Sequence, residues 1–232
     1  MKGFIMKDFE YVTKKEYLPV KNELIELINL VQDEVRDKFT FRFDFIGSAS
    51  RNMITRDKKS NTGYDFDVNI RVNDDDNEYS AKEIRRILKD GFDKHSKKFQ
   101  YDYAEDSKRV LTIKVKDRKN SKILHSCDFA VVNDYTDNQG NDHQEFIYFN
   151  KKQNTYEWQE QPEGFYMLDE KIDWIKENGL WQEVRDSYIE RKNSNNDPNK
   201  KSRSIFAETV AAVFNDNGGY EDDYYDDDEY DD

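Results

Sequence analysis

Asp65 and Asp67 are separated by one residue within the stretch Tyr64-Asp65-Phe66-Asp67-Val68-Asn69-Ile70-Arg71-Val72, which alternates polar and apolar side chains. In an extended strand that spacing sets both carboxylates on one face and Phe66 and Val68 on the other. Two carboxylates held so close repel each other. A divalent cation relieves the repulsion, and all-oxygen ligation suits magnesium, which completes its shell with water and substrate phosphate oxygens. A third acid, Asp128, enters another apolar stretch, Cys127-Asp128-Phe129-Ala130-Val131-Val132. A carboxylate in such a strand is costly unless it is paired or metal-bound.

An isolated Asp-x-Asp in a chain this rich in aspartate ordinarily marks a solvated acidic pair, as the run Asp226-Asp227-Asp228 illustrates. The pair at Asp65 and Asp67 differs in lying inside a strand and in following a second strand that ends at Gly47-Ser48. Arg51, Arg56, Lys58 and Lys59 follow and could meet phosphates or form a solvated basic loop. His125 and Cys127 share the strand face opposite Asp128 and read as packed side chains. No zinc-ligand spacing occurs.

The elements that must position these residues follow from periodicity. Val20, Leu24, Leu27, Ile28, Val31 and Val35 recur at helical spacing, so 17–39 is expected to be a helix with Pro19 in its first turn. Phe41 to Phe45 alternates as a half-buried strand. Gly47-Ser48 then signals a turn, and a polar stretch follows from Arg51 to Gly63, whose conformation the sequence leaves open. Ser80 and Glu83 form a capping box for a helix marked by Ile84, Ile87, Leu88 and Phe92. Arg109 to Lys116 and Ile123 to Val132 read as paired strands, and Phe146 to Asn150 with Thr155 to Trp158 as a hairpin. From Met167 the pattern turns helical, ending with Ile205 to Phe214. Trp181 and Tyr188 fall on an apolar helical face, and Tyr166 is a candidate platform for a base.

Ten of the 50 acidic residues lie between Asp216 and Asp232, where no Lys or Arg occurs, so the remainder, 40 against 37 basic, is close to balance. This final segment is poor in aliphatic residues and is expected to be disordered, yet it carries four tyrosines. Its ordinary reading is a solubilising acidic tail. Cys127 is the single cysteine, which rules out an intrachain disulfide, and no apolar run approaches a membrane span. With no signal-peptide-like start, the expected location is the cytoplasm.

Phe45-Ile46-Gly47-Ser48, a polar spacer, Tyr64-Asp65-Phe66-Asp67-Val68 and a distal strand Asp128 together resemble the signature of DNA-polymerase-β-like nucleotidyltransferases, over roughly Phe41 to Val132. Bacterial relatives of the cyclic-oligonucleotide synthases of antiviral defence have a similar spacing. The resemblance implies an α/β (α+β) fold with a catalytic core at 1–165, a helical lobe at 166–215 and a flexible tail at 216–232. It implies two Mg2+ ions, replaceable by Mn2+, on Asp65, Asp67 and Asp128. It implies Gly47 and Ser48 at a phosphate, joined by Arg51 and, from the helical half, Lys201 and Ser204. The small size and the tyrosine-bearing acidic end further resemble the nucleotidyltransferases of Hailong anti-phage systems. That likeness implies dATP or another dNTP as substrate and a single-stranded DNA product primed from Tyr230 or Tyr225. It also implies a membrane channel effector reached through the product, without insertion of this chain into the membrane. Transfer to an external protein, RNA or small molecule, synthesis of a signalling oligonucleotide, and a non-enzymatic binding role for the acidic tail are the alternatives.

Overall fold

The computed structural model describes residues 7–74, 78–161 and 168–219. The chain divides into two compact units between Pro162 and Glu163.

In the first unit, helix α1 (Lys14–Val35) starts where Thr13 and Glu16 close a capping box, three residues earlier than the periodicity suggests. Pro19 therefore stands inside the helix rather than in its first turn. Strand β2 (Thr40–Ile46) leads to a single helical turn, α2 (Gly47–Ser50), where the sequence suggests only a turn. The polar stretch that follows contains a three-residue strand, β3 (Thr55–Asp57), paired antiparallel with β1 (Phe9–Tyr11). Arg56 and Lys58 belong to this small ribbon. Arg56 pairs with Glu10 and Glu16 at 2.7 and 2.8 Å, and Lys58 with Asp8 at 3.3 Å. These cations tie β3 to β1 and the start of α1.

Strand β4 (Tyr64–Asn73) carries the aspartate pair, and α3 (Ala81–His95) begins at the Ser80–Glu83 capping box. Next come β5 (Glu105–Asp106), β6 (Val110–Asp117), β7 (Lys122–Thr136), β8 (Asp142–Asn150) and β9 (Thr155–Glu160). Among the described residues, seven strands form one mixed sheet in the order β2-β4-β7-β6-β5, with β8 paired to the far end of β7 and β9 to β8. β4 and β7 are parallel, whereas β2 and β6 flank them antiparallel.

Alternation gives the central strands two unlike faces. Phe66, Val68, Ile113, Cys127 and Phe129 are buried in one core with Leu24, Leu27, Ile28 and Val31 of α1 and Ile84, Leu88 and Phe92 of α3. The two helices approach closely because Gly91 lies where a Cβ would stand 3.0 Å from Val31 Cγ1. The opposite face bears the polar side chains of β4, β6 and β7.

The core also holds a fully buried cation. Arg85 of α3 donates to Asp106 Oδ1 from Nε (3.1 Å) and Nη2 (3.0 Å), and to the carbonyls of Arg109 and Ser107. Tyr156 donates to the other oxygen of Asp106 at 2.9 Å. The network pins the short edge strand β5 to α3 and β9.

The second unit contains α4 (Leu168–Glu177), α5 (Trp181–Ser194) and α6 (Ser202–Asp216). Phe206 is met edge-on by Trp181 and Tyr188, at ring separations of 6.4 and 5.9 Å. Ile175, Val184, Val210 and Val213 fill the same unit's interior. Among the described residues no helix is long and apolar enough to cross a membrane. Tyr166, Tyr225 and Tyr230 lie outside the described residues.

Candidate active site

The strand register brings the three aspartates together. Asp67 and Asp128 are paired positions on the parallel strands β4 and β7, and Asp65 pairs with Ser126. Neighbouring strands run about 4.8 Å apart, so the three carboxylates leave one small area of the polar sheet face. Phe66, Val68, Cys127 and Phe129 point the other way into the core and fix that orientation.

The electrostatics reflect the crowding. Burial, then the charges of Asp128 and Asp65, push the Asp67 carboxyl up to about 6, against a smaller opposing pull from Arg51. Burial also raises Asp128, opposed by its hydrogen bond from Thr112 and by the Lys114 charge. The hydroxyls of two neighbours hold two of the acids. Thr112 Oγ1 donates to Asp128 Oδ1 at 2.5 Å, and Ser126 Oγ donates to Asp65 Oδ1. With the side chains so turned, no group of three His, Cys, Asp or Glu among the described residues converges as metal ligands do. The donor chemistry nevertheless fits a hard divalent cation: three carboxylate bases on one face, with Asp67 raised by burial and by the charges of the other two.

Gly47 closes one side. Its φ is +63°, a conformation costly for any residue bearing a Cβ. A Cβ there would also stand 3.0 Å from Asp67 Oδ2. Glycine thus meets two demands at once, a left-handed backbone and close approach to a carboxylate. Ser48 is partly buried just beyond, and its carbonyl accepts from the Met53 amide at 2.8 Å. Asp65, Asp67, Asp128, Gly47, Ser48 and Arg51 all belong to the first unit. Lys201 and Ser204 belong to the second, where Lys201 is the exposed N-cap of α6 and Ser204 its partly buried third residue.

His125 and Cys127 face the core, as the alternation requires. The imidazole of His125 stacks on Tyr64 (5.8 Å) and meets the edge of Tyr101 (5.5 Å), and burial lowers its pKa to about 4. Burial raises the Cys127 thiol well above its usual range, the opposite of what a nucleophile needs. Neither residue reaches the carboxylate face.

Thr112, Ser126 and Lys114 are the residues of this face that the sequence did not single out. A lone hydroxyl or lysine on a strand carries no signal until register assigns its neighbour.

No protein-family model matches the sequence, and no curated protein matches it. Several solved structures resemble the fold. The STING-associated CdnE c-di-GMP synthase of Capnocytophaga granulosa superposes with a TM-score of 0.56 at 14% identity, over 89% of this chain and 62% of that one. Vibrio cholerae DncV in its 3'-deoxy ATP bound form gives 0.53 at 15% identity, over 88% and 53%. The DncV cyclic AMP-GMP synthase with the linear intermediate 5' pppA(3',5')pG gives 0.51 at 15%, over 88% and 54%. The chain thus spans between half and two thirds of the length of the structures it resembles. Its mixed sheet and flanking helices share the fold of these structures.

Proposed function

We propose that this protein is a metal-dependent nucleotidyltransferase that transfers a nucleoside monophosphate from a nucleoside triphosphate to a hydroxyl. The observation that carries the reading is the pairing of Asp67 with Asp128 across parallel strands, beside Asp65 and with Gly47 against the Asp67 carboxylate. Asp65, Asp67 and Asp128 would hold two magnesium ions once Asp65 and Asp128 turn from Ser126 and Thr112. Bound there, the ions supply charge neutralisation of the triphosphate and a lowered pKa for the attacking hydroxyl.

The chain's own groups do the rest. Gly47 admits a phosphate close to the backbone, with Ser48 as donor and Arg51 as nearby positive charge. Asp128, its pKa already raised, takes the proton of the attacking hydroxyl. An oxygen–phosphorus bond forms at the α-phosphorus, the bond to the bridging oxygen breaks, and pyrophosphate leaves. Lys201 and Ser204 are assigned to the triphosphate on the strength of the family resemblance.

For the acceptor we favour a tyrosine of the acidic final segment, Tyr230 or Tyr225. The product would be a single-stranded DNA oligomer that acts through a membrane channel partner in anti-phage defence. This reading rests on four tyrosines in a segment otherwise built from acids, two glycines and one asparagine. A second reading, synthesis of a signalling oligonucleotide, is favoured by the similar structures, which include a c-di-GMP synthase and a cyclic AMP-GMP synthase.

Intact-protein mass spectrometry after incubation with magnesium and each ribo- or deoxyribonucleoside triphosphate separates these readings. A ladder of nucleotide increments on wild type, absent from Asp67→Asn and from Tyr230→Phe or Tyr225→Phe, supports self-priming. Free oligonucleotide with an unmodified chain supports the second reading. No turnover with any triphosphate would sink both.

A further inference from the structure

Two of the three aspartates, Asp67 and Asp128, belong to a longer row. Ile46, Asp67, Asp128, Thr112 and Glu105 are successive register partners across β2, β4, β7, β6 and β5. The next row runs Asp65, Ser126, Lys114. Gly47 follows Ile46 at one end of the first row, and the Lys114–Glu105 pair sits at the other, beyond Asp128. We propose that Lys114, with Glu105 as its resting counter-ion, forms the acceptor side of the site and binds a backbone phosphate of a nucleic-acid acceptor. The proposal rests on the nucleotidyl-transfer reading and extends it to the second substrate.

In-line displacement places the attacking and leaving oxygens on opposite sides of the phosphorus. With the leaving pyrophosphate on the Gly47 side of Asp67, the attacking hydroxyl must arrive over β7 and β6. An oligonucleotide offering its 3' hydroxyl there carries its nearest phosphate on the far side of the terminal sugar, farther along toward β6 and β5. Lys114 is on β6, one strand beyond Asp128 and diagonal to it, about 7–8 Å away between backbones. Leu111, Ile113 and Val115 are buried on the opposite face, so alternation places Lys114 on the aspartate face.

The resting pair is suited to exchange. Lys114 Nζ lies 2.6 Å from Glu105 Oε2, and the lysine is 23% exposed against 54% for the glutamate. Glu105 also reaches Lys116 Nζ at 3.9 Å. A phosphate that displaces it from Lys114 therefore leaves it beside a second cation. The glutamate is the exposed half of the pair, so water can take the lysine's place on its carboxylate as it leaves. Lysine, a compact charge on a flexible stem, suits a phosphate whose position shifts as a strand advances.

The test measures nucleotide addition to a short oligodeoxyadenylate and a short oligoadenylate, using the full chain with magnesium and saturating nucleoside triphosphate. Lys114→Met should raise the acceptor KM about 10- to 100-fold, the range for a lost hydrogen bond to a charged group, and leave the triphosphate KM in place. Glu105→Gln should lower the acceptor KM, a gain that a merely damaged fold cannot give. An unchanged acceptor KM in Lys114→Met, or an equal rise in both KM values, overturns the assignment. If wild type extends neither oligonucleotide but still performs Asp67-dependent transfer, the acceptor subsite falls and the nucleotidyl-transfer reading stands. If there is no turnover at all, both fall.

Discussion

Asp67 and Asp128 face each other across two parallel strands, and the charge of Asp128 helps to raise the Asp67 carboxyl. Parallel pairing makes this possible: β4 and β7 enter the sheet side by side, so an acid at the same level of each strand shares one patch of its polar face. The hydrophobic cores of both strands hold the pair in place. Such a site is built against its own stability, because the burial that fixes the acids also raises their charge cost.

The cost should be measurable. Asp67 is raised from about 3.8 to about 6, so the folded state binds its proton more readily than the unfolded chain. Stability is therefore lost as pH rises from about 4 through about 6, and the penalty is complete above that. Without divalent cation at about pH 8, Asp67→Asn should be more stable than wild type by roughly 2–3 kcal/mol in urea denaturation. Magnesium should raise the melting temperature of wild type but not of this variant. Equal stability of the two proteins in chelator would remove the electrostatic basis of the site.

Gly47→Ala tests the other side of the same carboxylate. The left-handed backbone costs a residue with a Cβ about 1–2 kcal/mol, and the added carbon would stand 3.0 Å from Asp67 Oδ2. The expected outcome is a modest loss of stability with a disproportionate loss of nucleotide turnover. The comparison is Gly140→Ala, at a φ of +87° with nothing within 4 Å, which should lose stability alone.

Parts of this arrangement are legible in the sequence for a simple reason. Period-two alternation over nine residues orients Asp65 and Asp67 whatever the strand pairs with, and the apolar run around Asp128 announces a buried strand. Pairing is another matter. Nothing local says that Asp67 meets Asp128, that Ser126 meets Asp65, or that Thr112 meets Asp128, because a register is a property of two strands. The β1–β3 ribbon escapes for want of length, three residues being too few to show alternation. Pro19 misplaces the start of α1 because proline favours a first turn, whereas the Thr13–Glu16 capping box fixes the true start. Arg56 and Lys58, as plausible at a phosphate as on a solvated loop by type alone, are engaged by Glu10, Glu16 and Asp8.

His125 gives an acid-sensitivity prediction on the core side of the sheet. Its pKa falls to about 4 through burial against Tyr64 and Tyr101, and its Nε2 is buried with no hydrogen-bond partner among the described residues. The unfolded chain takes up the proton near pH 6.5 while the folded chain does not, so stability falls as pH drops from about 6.5 toward 4. Replacing the ring by phenylalanine keeps its aromatic packing and removes the titration. His125→Phe should therefore remove roughly 2 kcal/mol of the stability that wild type loses between about pH 7 and pH 5. Identical pH profiles for the two proteins would show that His125 is protonated in place.

The last prediction concerns the anchor of β5. Arg85 is fully buried, and its guanidinium satisfies Asp106 and the backbone carbonyls around it, while Tyr156 completes Asp106. Removing one partner of a buried ion pair leaves the other charge desolvated and unpaired, at a cost of about 3–5 kcal/mol. Arg85→Met should thus be strongly destabilised despite its well-matched apolar bulk. Adding Asp106→Asn should restore part of the loss by removing the stranded charge, although the carbonyls of Ser107 and Arg109 stay without their donor. Glu105, next along β5, should become mobile in Arg85→Met, because the edge strand loses its tether to α3. Hydrogen exchange at Glu105 and its partner Thr112 reads this directly: faster exchange there, with β4 and β7 still protected, is the expected pattern. Uniform loss of protection across the sheet would instead make Arg85 a global keystone rather than the local anchor of the β5 edge.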